Sequence, residues 1–415
     1  MRGRPESPGP LKRRGPRPLL LHLTLAWLCS SASISASPGS NNGLQHSSAQ
    51  FSRAAARLAA ARLAALGPPG GPDETAFRRA VLVEALRQDQ ALLAGIAAYR
   101  RHPYQRALPD PPVLWAEGET RLLDYGSGRT RNAPTVLFIP SLINRAYILD
   151  LAEGASMLRW LAGNGLRPLL LDWGWPGDAE RNFTLTDYVA GRLERALEAT
   201  PRRVVLAGYC MGGLLALALA LRRPERIRGL ALLATPWDFH AANAATARLL
   251  GRMLPIFEPA LTFAASLPVD LLQMLFAALD PFGIGAKYRA FASLDPASAR
   301  ARLFVALEDW LSDGVPLAAP VARECIAGWY GANTPARIAW RIAGLPVDPS
   351  QIRLPAFVAV PGNDRIVPPE SAQPLARCLP GAVLHTPAAG HIGMVAGSTA
   401  ANALWSPLRA WVASL

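Results

Sequence analysis

"VVLAGYCMGGLLALALA", residues 204–220, is the stretch on which the fold turns. A short apolar run enters it and a run of alanine and leucine leaves it. Between them stands Gly208-Tyr209-Cys210-Met211-Gly212. That spacing, G-x-nucleophile-x-G, is the nucleophile elbow: a buried strand turns sharply into a helix and lifts one side chain out of the turn. Gly208 and Gly212 keep neighbouring side chains out of the way, and Gly213 permits closer packing of the helix. The free N–H groups and dipole of a helix N-terminus favour a thiolate at Cys210. The Met211 N–H is the natural first donor to an oxyanion. Against this stands a plainer reading, in which Cys210 is a buried filler, the commoner fate of a cysteine.

A thiolate needs a base, and the base needs an orienter. On an elbow scaffold of the α/β-hydrolase kind the chain order is nucleophile, acid, histidine. Asp364 in "VPGNDRIVPP" follows the apolar run 354–360, and His391 in "TPAAGHIGM" follows the run 382–387. Both sit just past a predicted strand, where catalytic side chains emerge from an open α/β sheet. Alone, each has an ordinary explanation as a turn carboxylate or a satisfied loop histidine. Their order and placement together predict a Cys210–His391–Asp364 triad. The loop "PSLINR" supplies Leu142 and Ile143 as candidates for the second oxyanion donor. His22, His46, His102, His240 and His385 rank lower, and Cys325 and Cys378 lack a glycine frame. There is no C-x-x-C pair and no phosphate loop, so neither a metal nor a permanently bound cofactor is expected.

Around the elbow, strands alternate with helices. "VLWAEG" and "TRLLDYG" predict a β-hairpin, and "TVLFIP", "RPLLLDW", "RVVLAG" and "RGLALLATP" predict buried strands. Between them "AYILDLAEGASMLRWLAG", "LTDYVAGRLERALEA" and "MGGLLALALALRR" read as helices, the second capped by Thr184 or Thr186. This alternation predicts a mostly parallel sheet with helices on both faces. It stops at Pro236 and resumes with "LPAFVAVPG" and "AVLHTPAAG", and a helix over roughly 400–414 closes the chain. The expected organisation is an α/β-hydrolase core over 112–236 and 346–415, interrupted by a helical lid over 237–345. Residues 51–111 read as a helical N-terminal extension, with one helix in "FSRAAARLAAARLAALG" and another from Asp73 to about Arg101. Residues 1–50 read as a poorly ordered tail. Within it, "LLLHLTLAWLCSSASISA" gives 1–36 the outline of a secretory signal, too short and interrupted to span a membrane.

Composition narrows the function. With 51% hydrophobic residues over 415 positions the chain can bury a large core, which excludes global disorder. The net charge of +13 is almost all arginine, with Lys12 and Lys287 the only lysines. Residues 1–18 carry six positive charges against one negative, and the rest are scattered without interleaved aromatics. No nucleic-acid partner is therefore expected. A general positive field suits a polyanionic substrate such as a coenzyme A thioester. Four cysteines in a chain this long make no disulfide scaffold and fit a reducing compartment.

From about residue 92 onward the chain resembles the polyhydroxyalkanoate synthases, the polymerases of bacterial polyester granules. The resemblance rests on "PSLINRAYILDL" (140–151), "DWGWPGDAERNFTLTDYV" (172–189), "GYCMGG" (208–213), "TPWDF" (235–239), "LEDWLSDG" (307–314), "LPAFVAVPGNDRIVPP" (354–369) and "GHIGMVAG" (390–397). "DWGWP" and "TLTDY" are closest to the shorter enzymes that work with a partner subunit. Two positions depart from the family: Arg365 stands where a histidine usually follows the aspartate, and Ala146 where a larger residue or proline is common. The resemblance places the family's nucleophile, aspartate and histidine on Cys210, Asp364 and His391. It implies an acyltransferase that takes an (R)-3-hydroxyacyl-coenzyme A onto Cys210 and elongates a polyester. Coenzyme A enters only as part of the substrate and leaves as product. The implied partners are the growing polyester chain, a second copy or a partner subunit, and the granule surface in the cytoplasm. Export would follow only if residues 1–36 act as a signal. The alternatives are a cysteine thioesterase or esterase on the same scaffold, and a catalytically silent granule-associated protein.

Overall fold

The apolar runs become eight strands of one sheet: β1 (Val113–Glu117), β2 (Thr120–Asp124), β3 (Thr135–Ile139), β4 (Arg167–Asp172), β5 (Val204–Tyr209), β6 (Ile227–Leu233), β7 (Ala356–Ala359) and β8 (Val383–His385). The computed structural model describes residues 13–35, 72–126, 133–200 and 203–415. The predicted helix in "FSRAAARLAAARLAALG" lies outside the described residues. The strand order is β1-β2-β4-β3-β5-β6-β7-β8. All pairings from β4 through β8 are parallel, and the β1–β2 hairpin joins β4 antiparallel at the edge. Every residue of β3 and β5 is buried, which is why they read as unbroken apolar runs rather than alternating ones.

Register carries the fold toward a site. Ile139 of β3 pairs with Gly208 of β5, and Tyr209 of β5 with Leu233 of β6. Leu233 pairs in turn with Ala359 of β7, and Ala359 with His385 of β8. The loops after β3, β5, β7 and β8 therefore leave the same edge of the sheet. Those loops hold Leu142, Cys210, Asp364 and His391. This edge is the carboxyl end of the strands, where open α/β sheets bind ligands.

Two predicted helices differ in detail. Residues 146–163 are a 3-10 turn (Ala146–Leu149), a small ladder (Asp150–Ala152 with Ala155–Ser156) and a short helix (Met157–Gly163). The cause is Asp150, whose fully buried carboxylate takes bonds from Ser156, Arg159, Arg106 and Tyr125. The left-handed φ of 75° at Gly154 turns the ladder. In "LTDYVAGRLERALEA" it is Thr184 that caps. Its hydroxyl accepts the Asp187 N–H at 3.2 Å, and the Asp187 carboxylate accepts the Thr184 N–H at 2.8 Å. Thr186 instead accepts the Ala343 N–H.

Residues 237–345 are mostly helical. The chain divides into two compact units, one of residues 1–104 with 280–308 and one of residues 105–279 with 309–415. Residues 280–308 thus belong with the N-terminal helices rather than with the rest of the insertion. In that first unit, Leu92, Ile96 and Tyr99 of the helix Pro72–Arg101 form a core with Tyr288, Phe291, Ala301 and Val305. Asp73 lies inside that helix rather than capping it. Leu19–Ser35 is a helix, which corrects the reading of this stretch as poorly ordered tail: Leu19, Leu23 and Ala26 pack on the same core. No helix among the described residues is long and apolar enough to cross a membrane.

Candidate active site

β5 ends at Tyr209 and the helix Met211–Arg222 begins one residue later, so Cys210 is the whole turn. Its backbone sits at φ 56° and ψ −128°, a conformation that non-glycine residues hold only where the surroundings enforce it. Two bonds enforce it here: the Cys210 N–H donates to the Leu233 carbonyl at 2.9 Å, and the Gly213 N–H to the Cys210 carbonyl at 3.0 Å. The glycine frame is a packing requirement. A Cβ at Gly212 would lie 2.1 Å from the Ile139 carbonyl oxygen, and one at Gly213 only 1.8 Å from the Thr235 hydroxyl. A Cβ at Gly208 would lie 2.4 Å from the Gly213 Cα. The first helical turn is therefore flush against the ends of β3 and β6.

The structure brings Cys210, His391 and Asp364 together. The His391 Nδ1–H donates to Asp364 Oδ2 at 2.7 Å, and the Cys210 thiol is close enough to the ring to act on its charge. Asp364 has no exposed side-chain surface. Its second oxygen, Oδ1, accepts the N–H groups of Ile366 at 2.8 Å and Val367 at 2.9 Å, so both ends of the carboxylate are fixed. Burial works against a charged imidazole at His391. The charge interaction with Cys210, together with the bonds to Asp364 and Cys210, outweighs burial and raises its pKa from 6.5 to about 10. At neutral pH the His391 ring therefore stays protonated.

One participant escaped the sequence reading. The Tyr209 hydroxyl donates to the His391 carbonyl at 3.2 Å, and its ring lies against the imidazole with centroids 5.0 Å apart. Burial, then the charges of Cys210 and Asp364, hold its phenol protonated. The only sequence signal was its position as the variable residue before the nucleophile.

Of the expected oxyanion donors, the Met211 N–H stands at the first helical position, where no intrahelical partner exists. The Leu142 N–H has no acceptor among the described residues. Ile143 differs from expectation: its N–H is already engaged, donating to the Ser141 hydroxyl at 3.0 Å. The remaining described histidines are anchored to backbone carbonyls: His22 to Arg17, His102 to Pro296, His240 to Tyr330 and His385 to Ala403. His46 lies outside the described residues. Cys325 is buried and Cys378 exposed.

Such an arrangement can ionise a thiol, present it at a helix N-terminus and hold a tetrahedral oxyanion beside it. A family model of the alpha/beta hydrolase fold matches residues 134–397. The chain belongs to the alpha/beta hydrolase fold family. Within this family its relatives include the poly(3-hydroxyalkanoate) polymerase subunit PhaC of Haloferax mediterranei, 30% identical over 72% of this chain and 63% of that one. The subunit of the same name from Allochromatium vinosum is 27% identical over 71% of this chain and 86% of that one. The one from Synechocystis sp. is 28% identical over 67% and 77%. The resemblance carried by the motifs is borne out in these relatives. The hydrolase-fold match begins just before β3 and ends six residues past His391, so it encloses the elbow and the loops after β7 and β8.

Proposed function

We propose that this alpha/beta hydrolase is a poly(3-hydroxyalkanoate) polymerase that works through Cys210, His391 and Asp364. The observation that carries the reading is the buried His391 ring bonded to the Asp364 carboxylate at 2.7 Å, with the Cys210 sulfur of the elbow acting on the same ring. The names of the relatives, poly(3-hydroxyalkanoate) polymerase subunits, support a polyester as the product.

In the first half-reaction the Cys210 thiolate attacks the thioester carbonyl of a 3-hydroxyacyl-coenzyme A. The N–H groups of Met211 and Leu142 receive the oxyanion. The bond to coenzyme A breaks, and the His391 imidazolium gives its proton to the departing sulfur. Thioester is exchanged for thioester, so the step is nearly balanced. In the second half-reaction the hydroxyl of another unit gives its proton to the now neutral His391 and attacks the acyl-cysteine. An ester bond forms, and the thiolate–imidazolium pair is restored. Asp364 keeps the ring in the correct tautomer throughout. Exclusion of water from the acyl-cysteine separates polymer growth from hydrolysis.

The relatives are named as subunits, and a partner subunit, or a second copy, fits this chain too. Coenzyme A thioesters place the reaction in the cytoplasm, at the surface of the growing polyester. The test is incubation of the purified chain with (R)-3-hydroxybutyryl-coenzyme A, following coenzyme A release and analysing the acyl product. Release with polymer, lost in Cys210→Ser, is expected. Release with free acid makes the chain a thioesterase, and no release makes it a non-catalytic member of the fold.

A further inference from the structure

"LEDWLSDG" (307–314) takes no part in the triad, yet it fastens the loop that holds one oxyanion donor. The Trp310 indole N–H donates to the Arg145 carbonyl at 2.7 Å, from a side chain that is almost wholly buried. Three residues on, the Asp313 carboxylate lies beside Tyr147 and, after burial, helps hold its phenol protonated. From the helix Val269–Ala277, the Gln273 amide donates to Asn144 Oδ1 at 3.4 Å and to the Leu311 carbonyl at 3.1 Å. Residues 144, 145 and 147 are thus each tied to the insertion. Asn144 turns the loop with a φ of 66°, in the left-handed region that asparagine tolerates. Leu142 stands two residues earlier, with no acceptor for its N–H among the described residues.

We propose that Trp310 is a positioning residue: with Asp313 and Gln273 it holds the loop 141–147 so that the Leu142 N–H meets the oxyanion. The inference rests on the acyl-transfer reading above. Two reactions of the same sulfur separate it from a merely structural role. Acyl transfer passes through a tetrahedral oxyanion and needs the loop. Alkylation by iodoacetamide forms a sulfur–carbon bond as the carbon–iodine bond breaks and iodide leaves; it needs the thiolate but no oxyanion donor.

The experiment uses the full chain and the variants Trp310→Phe, which keeps a ring but loses the N–H, and Tyr147→Phe, which loses one hydroxyl. Single-turnover coenzyme A release from (R)-3-hydroxybutyryl-coenzyme A gives the acylation rate. Mass spectrometry of the Cys210 peptide gives the alkylation rate. For Trp310→Phe acylation is expected to fall about 10- to 100-fold, with KM and alkylation changed less than about twofold. Tyr147→Phe is expected to fall about threefold with the same selectivity, and it carries the test alone if Trp310→Phe does not fold. Acylation within about twofold of the parent in the folded variants overturns the proposal, as does an equal fall in both reactions. A parent chain that alkylates at Cys210 but releases no coenzyme A overturns the functional reading, and this inference with it. A failure confined to the variants leaves that reading standing.

Discussion

Asp364→Asn tests the polarity of the hydrogen bonds in the site. One carboxylate oxygen accepts the Ile366 and Val367 N–H groups at 2.8 and 2.9 Å, and the other accepts the His391 Nδ1–H at 2.7 Å. Asparagine has the same shape, but one end accepts and the other donates. Only its oxygen can satisfy the two backbone N–H groups, so its nitrogen must face His391. Nδ1 then has to accept, and the proton of the neutral ring moves to the nitrogen facing Cys210. In that tautomer the ring cannot take a proton from the thiol or from an incoming hydroxyl. The opposite amide orientation sets donors against donors at two buried sites, each costing about 1–3 kcal/mol. The same inversion in a serine-protease triad lowers kcat about 10⁴-fold. For Asp364→Asn we expect a loss of about 10³–10⁴ in acylation rate, roughly 4–5 kcal/mol of barrier. The assay is single-turnover coenzyme A release, with thermal unfolding as the check on folding. A folded variant that keeps more than about a tenth of the parent rate refutes the reasoning.

Three further outcomes follow from the geometry. The His391 pKa, raised to about 10, keeps the ring protonated through neutral pH, and the stability it contributes is complete below 6.5 and lost as pH rises through about 10. Imidazole NMR should show no titration near neutrality, and a midpoint near 6.5 would contradict this. Gly212→Ala places a methyl 2.1 Å from a backbone carbonyl that cannot rotate away, so urea unfolding should show a loss of about 2–3 kcal/mol or more. A loss under about 0.5 kcal/mol would mean the elbow relaxes freely. Asp150→Ala removes a fully buried carboxylate from Arg106 and Arg159, whose side chains are 27% and 31% exposed. That partial hydration puts the expected loss at about 2–4 kcal/mol, and under about 1 kcal/mol in urea unfolding would show the network to be dispensable.

What was legible in the sequence was what local pattern encodes. β3 and β5 are buried on both faces and so read as continuous apolar runs, and the glycines at 208, 212 and 213 mark the close approach of helix to sheet. Asp364 and His391 could be placed because strand ends and chain order suffice to find them. The engagement of Ile143 was within reach, since a serine two residues earlier commonly captures that N–H. The ladder at 150–156 was not, because Asp150 draws on Arg106 and Tyr125, far away in the chain. Nor was the union of residues 280–308 with the N-terminal helices. A Cβ at Gly95 would lie 2.0 Å from the Tyr288 carbonyl, and no periodicity announces a partner so distant. The target of Trp310, the carbonyl of Arg145, is equally silent.

The first compact unit is assembled from both sides of a long detour in the chain, and that has a biosynthetic cost. Leu92, Ile96 and Tyr99 leave the ribosome on the order of tens of seconds before Tyr288, Phe291 and Val305, at ordinary elongation speeds. Through that interval the nascent N-terminal helices lack half of their own core and are natural clients for holding chaperones. The same detour decides how the gene can be trimmed. Deleting everything before residue 105 would not free a self-sufficient catalytic domain, because it would strip Tyr288 and Phe291 of their cover and leave a sticky remnant in the middle of the chain.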